Sequence, residues 1–217
     1  MGLREANFWH QRWQNNELGF QLEQPHPLLC QLLPQFLSQH TKVFVPLCGK
    51  SPDLRYLANH LSVTGAELSP IACRDFFKEQ QLEVTCLQQA DFTRYFASNI
   101  EIWQGDYFQL QSRHVNGCYF AYDRAAIIAL PLNMRQRYVE KLRQLLPSGS
   151  ELLLISVEYP PHEKAGPPFN VDYAQIKRLF YKESVSLLAE LEQTGKGFAR
   201  RRFATGYLYE RAYLIRM

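Results

Sequence analysis

Residues 42–67 constrain the fold of this chain more than any other stretch. An apolar run over 42–47 leads to a turn at Gly49, and a second apolar run ends on Glu67. This order is typical of a parallel sheet whose edge holds a nucleotide-type ligand. The glycine lets the backbone approach the ligand, and a carboxylate about 20 residues further on accepts hydrogen bonds from ribose hydroxyls. The segment therefore predicts a ligand site at the end of two neighbouring strands.

Two phosphate-binding motifs match this segment only in part. Gly49-Lys50-Ser51 could end a P-loop, but Phe44 stands where that motif needs its first glycine. The dinucleotide fingerprint fails as well, because Gly49 is the only one of its glycines present. The pattern favours an adenosine-like ligand without a pyrophosphate, such as S-adenosylmethionine. A degenerate nucleotide site and a plain strand–turn–helix remain open as alternatives.

Composition limits the classes of protein to which the chain can belong. The 217 residues, 46% of them hydrophobic, suit one α/β domain. A net charge of +3 is too small to predict a nucleic-acid surface. The five cysteines form no C-x-x-C pair, which indicates reduced thiols in a cytoplasmic protein. No apolar run is long enough to span a membrane, and a monomer is the default expectation.

Apolar runs alternate with helical patterns from residue 42 to about 157, which predicts a mostly parallel sheet with helices on both faces. Residues 1–40 are aromatic-rich and helical in pattern, and 84–98 show no clear pattern. The last two strands have no helix between them and should pair antiparallel. The predicted strands are 42–47, 62–67, 100–103, 118–122, 151–157, 185–191 and 207–215, and the predicted helices are 52–60, 70–81, 132–146 and 172–183.

Polar residues follow the predicted strands where ligands bind in such sheets, at the carboxyl ends. Glu67 could accept hydrogen bonds from ribose hydroxyls, or it could simply be a favourable negative charge at a helix N-terminus. Asp106 could lie near an adenine amino group or act as a turn residue after Gly105. Arg124 could hold a cofactor carboxylate or a substrate anion, or it could form a structural ion pair with Asp123.

Aromatic and basic residues outside the strands are weaker candidates. Trp9, Trp13 and Phe20 could cover a ligand and attract a sulfonium cation, although aromatic residues at helical spacing usually pack in a core. The run Arg200–Arg202 is typical of a solvated face, but one of its arginines could face the cleft. The histidines show no metal-ligand spacing, so we expect no metal.

Several motifs spread over nearly the whole chain have to be read together. They are Phe8-Trp9-His10-x-x-Trp13, Gly19-Phe20, Val45-Pro46-Leu47-Cys48-Gly49-Lys50-Ser51, Gly65-x-Glu67-Leu68-Ser69, Tyr122-Asp123-Arg124-Ala125-Ala126 and Gly166-Pro167-Pro168-Phe169. In this order they closely resemble the bacterial type of the thiopurine S-methyltransferase family. In one departure, Gln21 stands where members often have histidine, which could change the substrate preference.

The resemblance implies a Rossmann-like class I methyltransferase fold with a seven-stranded, mostly parallel sheet and an antiparallel closing strand. It implies a single domain over 1–217, in which 1–40 form a helical cap over the active site and 41–217 form the core. It also implies S-adenosylmethionine as cofactor and S-adenosylhomocysteine as product. The cofactor contacts carried over are Trp13, Leu47, Gly49, Glu67, Asp106, Tyr107 and Arg124.

For the acceptor side, the resemblance places Phe20 at the substrate and gives catalytic roles to Arg124 and Arg201, with Arg200 as the alternative to Arg201. The expected reaction is in-line transfer of a methyl group to a thiopurine or another aromatic or heterocyclic thiol. Because such thiols ionise readily, no dedicated general base is required. Alternatives are methylation of selenium or tellurium compounds, as in metalloid detoxification, and a non-catalytic sensor of an adenosyl ligand.

Overall fold

A computed structural model describes residues 3–115, 117–196, 198–199 and 203–217 of the chain. The helices of this described part are α1 (Leu3–Gln14), α2 (Pro27–Leu32), α3 (Pro52–Ala58), α4 (Pro70–Glu79), α5 (Leu132–Leu145) and α6 (Tyr173–Leu179). The strands are β1 (Lys42–Val45), β2 (Ser62–Glu67), β3 (Thr85–Gln89), β4 (Phe92–Ala97), β5 (Ile100–Gln104), β6 (Phe120–Arg124), β7 (Glu151–Glu158), β8 (Ser184–Glu192) and β9 (Tyr209–Arg216).

The strands form one sheet in the order β3-β4-β5-β2-β1-β6-β7-β9-β8. The five central strands, from β5 to β7, are parallel. Both edges are antiparallel, because β4 pairs with β3 and β5 on one side and β9 pairs with β7 and β8 on the other. The mostly parallel sheet and the antiparallel closing pair are thus confirmed.

The predicted number of seven strands is wrong, since the sheet has nine. The two additional strands, β3 and β4, form a hairpin in the segment 84–98, for which the sequence predicted no element. All five residues of β3 are exposed, so the strand lacks the alternation of apolar and polar residues by which strands are recognised.

The ends of several elements follow from their capping residues. Ser51 and Ser69 accept hydrogen bonds from the first turns of α3 and α4, and a proline follows each serine. Several predicted ends are wrong. The strand predicted over 118–122 is Phe120–Arg124, so it includes Asp123 and Arg124. The strand predicted to run to Leu47 ends at Val45, and Leu47 has a left-handed backbone with φ of 47°. The helix predicted over 172–183 ends at Leu179, shortly before β8 begins.

The core lies on both faces of the sheet, as predicted. Neighbouring residues of β1 point to opposite faces, with Phe44 in one apolar cluster and Val43 in the other. Tyr138 of α5 and Ile176 of α6 belong to the first cluster. Helices α2, α3 and α4 contribute to the second. None of the helices in the described ranges is long and apolar enough to cross a membrane.

Candidate active site

A cleft lies at the carboxyl ends of β1, β2 and β6, with α1 and the loop after it on its other side. It encloses about 990 Å³ of empty space, part of which is open to solvent. Its lining residues are Trp9, Arg12, Trp13, Gly19, Phe20, Gln21, Leu22, Leu47, Cys48, Gly49, Ser51, Glu67, Leu68, Arg124, Ala125, Ile128, Ala129, Leu130, Pro167, Pro168 and Phe198.

The turn after β1 forms the floor of the cleft. Leu47 and Gly49 both have positive φ, 47° and 56°, so the backbone folds back sharply beneath the opening. A Cβ atom at Gly49 would lie 3.4 Å from Cζ2 of Trp13. The glycine therefore allows the indole ring of α1 to lie directly against the backbone of this turn.

Glu67, the last residue of β2, is buried in the wall of the cleft. Its Oε2 accepts a hydrogen bond from the Gly49 N–H at 2.9 Å, and its Oε1 accepts one from the Ser69 N–H at 2.6 Å. These bonds fix the carboxylate and leave further acceptor capacity on both oxygens. Burial raises the pKa of Glu67 to about 7, against the opposing effect of the N–H groups.

Arg124, the last residue of β6, lies across the cleft. Its Nη1 donates to the carbonyl oxygen of Phe20 at 2.9 Å, and its guanidinium carbon lies 5.4 Å from the ring centre of Phe198. The Nε atom is buried and has no hydrogen-bond partner among the described residues. A buried donor of this kind is expected to find an acceptor, which a bound anion would supply.

Asp123 and Arg124 turn to different partners, although they are neighbours in the chain. Asp123 accepts hydrogen bonds from the N–H groups of Ala126 and Ile127 and, at 2.6 Å, from the hydroxyl of Tyr138. Burial raises the pKa of Asp123 to about 6. Asp123 thus organises the turn that follows β6, while Arg124 lines the cleft.

The aromatic residues of α1 both pack and line the cleft. The Phe20 ring makes edge contacts with Trp9 and Trp13, at centroid distances of 5.9 and 5.8 Å. Trp13 is buried, and it forms a small apolar cluster with Leu18 and Ala72. The sequence leaves core packing and ligand contact as alternatives for these aromatic residues, and the fold allows both at once.

Two of the predicted site residues, Asp106 and Tyr107, are not among the residues that line the cleft. Asp106 accepts a hydrogen bond from the N–H of Phe108 at 3.0 Å. The Tyr107 ring is buried in the core, where it stacks on Tyr138 and its hydroxyl donates to the Tyr138 carbonyl. Arg201 lies outside the described residues. Contacts of these three with a ligand stay predictions, and Tyr107 would have to make them through its backbone.

Gln21, noted as a departure from the family pattern, is buried in the cleft wall. Its Nε2 donates to the carbonyl oxygens of Lys50, at 3.0 Å, and Leu22, at 3.2 Å. The side chain thus ties the loop after α1 to the turn after Gly49.

Sequence reasoning missed several residues of the cleft. Arg12 lies on the same face of α1 as Trp9, three residues away, but helical spacing does not show which face meets the sheet. Pro167, Pro168 and Phe198 come from distant parts of the chain. The two prolines belong to one of the motifs that carry the family resemblance. That motif is the only feature of the sequence that could have pointed to them as cleft residues.

The site fits an adenosyl cofactor without a pyrophosphate. Glu67 offers acceptors for ribose hydroxyls, Gly49 and Trp13 form an apolar wall, and the unpartnered Nε of Arg124 suits a carboxylate. Together the fold and the site define a methyltransferase that uses S-adenosylmethionine.

Comparison with known proteins identifies the family. The family model described as Thiopurine S-methyltransferase (TPMT) matches residues 4–216. A thiopurine S-methyltransferase of Pseudomonas fluorescens (strain Pf0-1) is 40% identical over 215 residues, which cover 98% of this chain and 99% of that protein. One from Pseudomonas paraeruginosa (strain DSM 24068 / PA7) is 47% identical over 175 residues, 80% of each chain. The chain belongs to the thiopurine S-methyltransferase family.

Solved structures agree on the fold. A methyltransferase from Anabaena variabilis ATCC 29413, described as dependent on S-adenosylmethionine, aligns with a TM-score of 0.66 at 16% identity, covering 96% of this chain and 93% of that one. The N-methyltransferase NodS from Bradyrhizobium japonicum WM9, solved with S-adenosylhomocysteine, aligns with a TM-score of 0.59 at 13% identity, covering 85% and 84%. These structures confirm the class I methyltransferase fold, and membership of the family confirms the enzyme class and the cofactor.

Proposed function

We propose that this enzyme transfers the methyl group of S-adenosylmethionine to the sulfur of thiopurines and other aromatic or heterocyclic thiols. The observation that carries the proposal is the composition of the cleft. Gly49 and Glu67 suit the cofactor and Phe20 suits an aromatic acceptor. Arg124, which is bonded to the Phe20 carbonyl, suits both the cofactor carboxylate and the acceptor anion.

For the cofactor side, the proposed contacts are Trp13, Leu47, Gly49, Glu67 and Arg124, with Asp106 and Tyr107 near the adenine. The lining and the hydrogen bonds described above support the first five. Residues 1–40 act as a cap, in which α1 places Trp9 and Trp13 over the site. The cap excludes water and orients the two reactants.

When bound, S-adenosylmethionine supplies an electrophilic methyl group on a sulfonium. A thiolate held in line with this group would gain the methyl as the bond from the methyl carbon to the sulfonium sulfur breaks. S-adenosylhomocysteine would leave as a neutral thioether, and the thiol proton would already have passed to solvent. The protein's contribution is therefore alignment, which can lower a barrier by about 7–11 kcal/mol in the best cases. Phe20 packs against the acceptor ring, and Arg124 together with Arg201 stabilises the thiolate.

A methyl-transfer assay tests this proposal. Purified enzyme, S-adenosylmethionine and 6-mercaptopurine are incubated at pH 8, and the product is identified by mass spectrometry with fragmentation. We expect one added methyl group, located on sulfur. Turnover of selenols but of no thiol would replace the proposal with the selenium alternative. Binding of cofactor without turnover of any acceptor would favour a sensor.

A further inference from the structure

Arg12 is a cleft residue to which the proposed reaction gives no task. It lies on α1, its side chain is 25% exposed, and its Nε is buried without a hydrogen-bond partner in the described part of the chain. The guanidinium carbon lies 4.7 Å from the ring centre of Phe8. Nη1 is 3.3 Å from Oε2 of Glu17, whose side chain is 51% exposed. An ion pair with so exposed a partner contributes little, so Arg12 is held in place but not neutralised.

In the ranges that the structure describes, Arg12 has no acidic partner inside the cleft, because Glu17 does not belong to the lining. Among the described lining residues the charged ones are Arg12, Glu67 and Arg124. Glu67 already accepts two backbone hydrogen bonds and faces the ribose in the proposed function. The cofactor brings one carboxylate, together with an ammonium and a sulfonium, so its net charge is +1. In the proposed function Arg124 faces the cofactor carboxylate and the reacting thiolate, so Arg12 is the lining guanidinium left to attract a further anion.

Because the thiolate is already assigned to Arg124, the anion that Arg12 attracts has to be a further substituent of the methyl acceptor. Arg124 donates to the carbonyl of Phe20, and Phe20 touches both Trp9 and Trp13. Arg12 lies between these two tryptophans in sequence, on the same helix. An aromatic acceptor packed on Phe20 and Trp9 would therefore carry a substituent within the reach of Arg12.

We propose that Arg12 is a specificity-determining residue that binds an anionic group, such as a carboxylate, on the ring of an aromatic thiol acceptor. This inference rests on the proposed function and names its preferred substrate class. The acceptor then carries two negative sites, the reacting thiolate and a second anion that fixes its orientation.

Two matched thiols test the inference. 4-Mercaptobenzoate and 4-mercaptobenzamide have the same ring and the same reacting sulfur, and only the first carries a carboxylate. The enzymes compared are the wild type, Arg12→Met, Arg12→Lys and Arg178→Met. Arg178 is an exposed arginine of α6 outside the cleft, so its variant controls for the loss of one positive charge.

We expect Arg12→Met to lower kcat/KM by about tenfold for the benzoate, mainly through KM, and by less than twofold for the benzamide. Arg12→Lys should restore part of the preference, and Arg178→Met should match the wild type. Equal losses on both thiols, or none on the benzoate, would overturn the assignment. Thermal melting of each variant checks that the cap remains folded.

A binding measurement separates this inference from the reaction itself. Isothermal titration calorimetry measures how tightly two methylated products bind to the enzyme–S-adenosylhomocysteine complex. The two products are 4-(methylthio)benzoate and 4-(methylthio)benzamide. Arg12→Met should weaken only the benzoate, again by about tenfold. If the wild type methylates neither thiol, the proposed function fails, whereas this titration still decides the role of Arg12.

Discussion

The ionisation of Glu67 should make cofactor binding depend on pH close to neutrality. Its carboxyl is buried, and burial raises its pKa to about 7 in the ligand-free protein. The ribose hydroxyls donate hydrogen bonds, so they favour the ionised carboxylate. Binding then requires loss of the proton below pH 7, and affinity should rise with pH and level off above about 8.

The magnitude follows from this pKa. With a pKa of about 7, only about one site in 11 is ionised at pH 6, so S-adenosylhomocysteine should bind about 11-fold more weakly than at the plateau. At pH 7 the loss is about twofold by the same relation. The assay is isothermal titration calorimetry between pH 6 and 8.5.

Glu67→Gln provides the matched variant. The glutamine amide does not titrate. It has one acceptor oxygen, whereas the N–H groups of Gly49 and Ser69 each bond to a separate oxygen of the Glu67 carboxylate. We expect weaker binding at pH 8 and no pH dependence across the range. A wild-type affinity that is flat between pH 6 and 8, or a Glu67→Gln profile that retains the slope, would refute the role of this carboxylate.

The same pKa has an opposite effect on the stability of the ligand-free protein. The pKa of Glu67 is higher in the folded state than its ordinary value of 4.5, so the folded protein binds more protons over the interval between the two values. The contribution of Glu67 to stability is therefore full below about pH 4.5 and is lost as pH rises through about 7. Stability and cofactor affinity should thus change in opposite directions over part of this interval.

Three substitutions test other parts of the account. Arg124→Ala should lower kcat/KM by about 10–100-fold, since it removes a charged hydrogen-bond donor from the cleft, and wild-type kinetics would remove Arg124 from the mechanism. Gly65→Ala would place a Cβ 2.9 Å from the sulfur of Cys48, so the free energy of unfolding should fall by about 1–3 kcal/mol. Adding Cys48→Ala should recover part of that loss in urea titrations, whereas strictly additive effects would contradict the predicted contact. Tyr138→Phe removes the donor to the buried Asp123 carboxyl and should cost about 1–3 kcal/mol, and an unchanged urea midpoint would contradict this.

Much of the fold could be predicted because its signals are local. Ser69 and Pro70 mark the start of α4, and the apolar runs of the central strands end at polar residues. The hairpin of β3 and β4 could not be predicted, since β3 buries no side chain and its turn contains Ala90 with φ of 50° instead of a glycine. Pairing with β5 holds this hairpin in the sheet, and that contact is not visible in the local sequence.

Sequence reasoning likewise predicted part of the candidate site and missed another part. The rule that ligands bind at the carboxyl ends of parallel strands placed Glu67 and Arg124 together, and the structure brings both into one cleft. The same rule does not give side-chain direction, so it did not show that the Tyr107 ring turns into the core. Arg12 was missed because its role depends on how α1 packs on α4 and on the turn after β1, and these are long-range contacts.

The central claim is that the cleft over Gly49 holds the adenosyl cofactor. Calorimetric titration with S-adenosylhomocysteine at pH 8 should be made on the wild type, Gly49→Val and Gly149→Val. Both glycines have positive φ, which strains valine, but a Cβ at Gly149 meets nothing within 4 Å, whereas Gly49 lies against Trp13 in the cleft. We predict one binding site in the wild type and in Gly149→Val, and binding lost or at least tenfold weaker in Gly49→Val. No binding by the wild type, or equal affinity in all three proteins, would contradict the account.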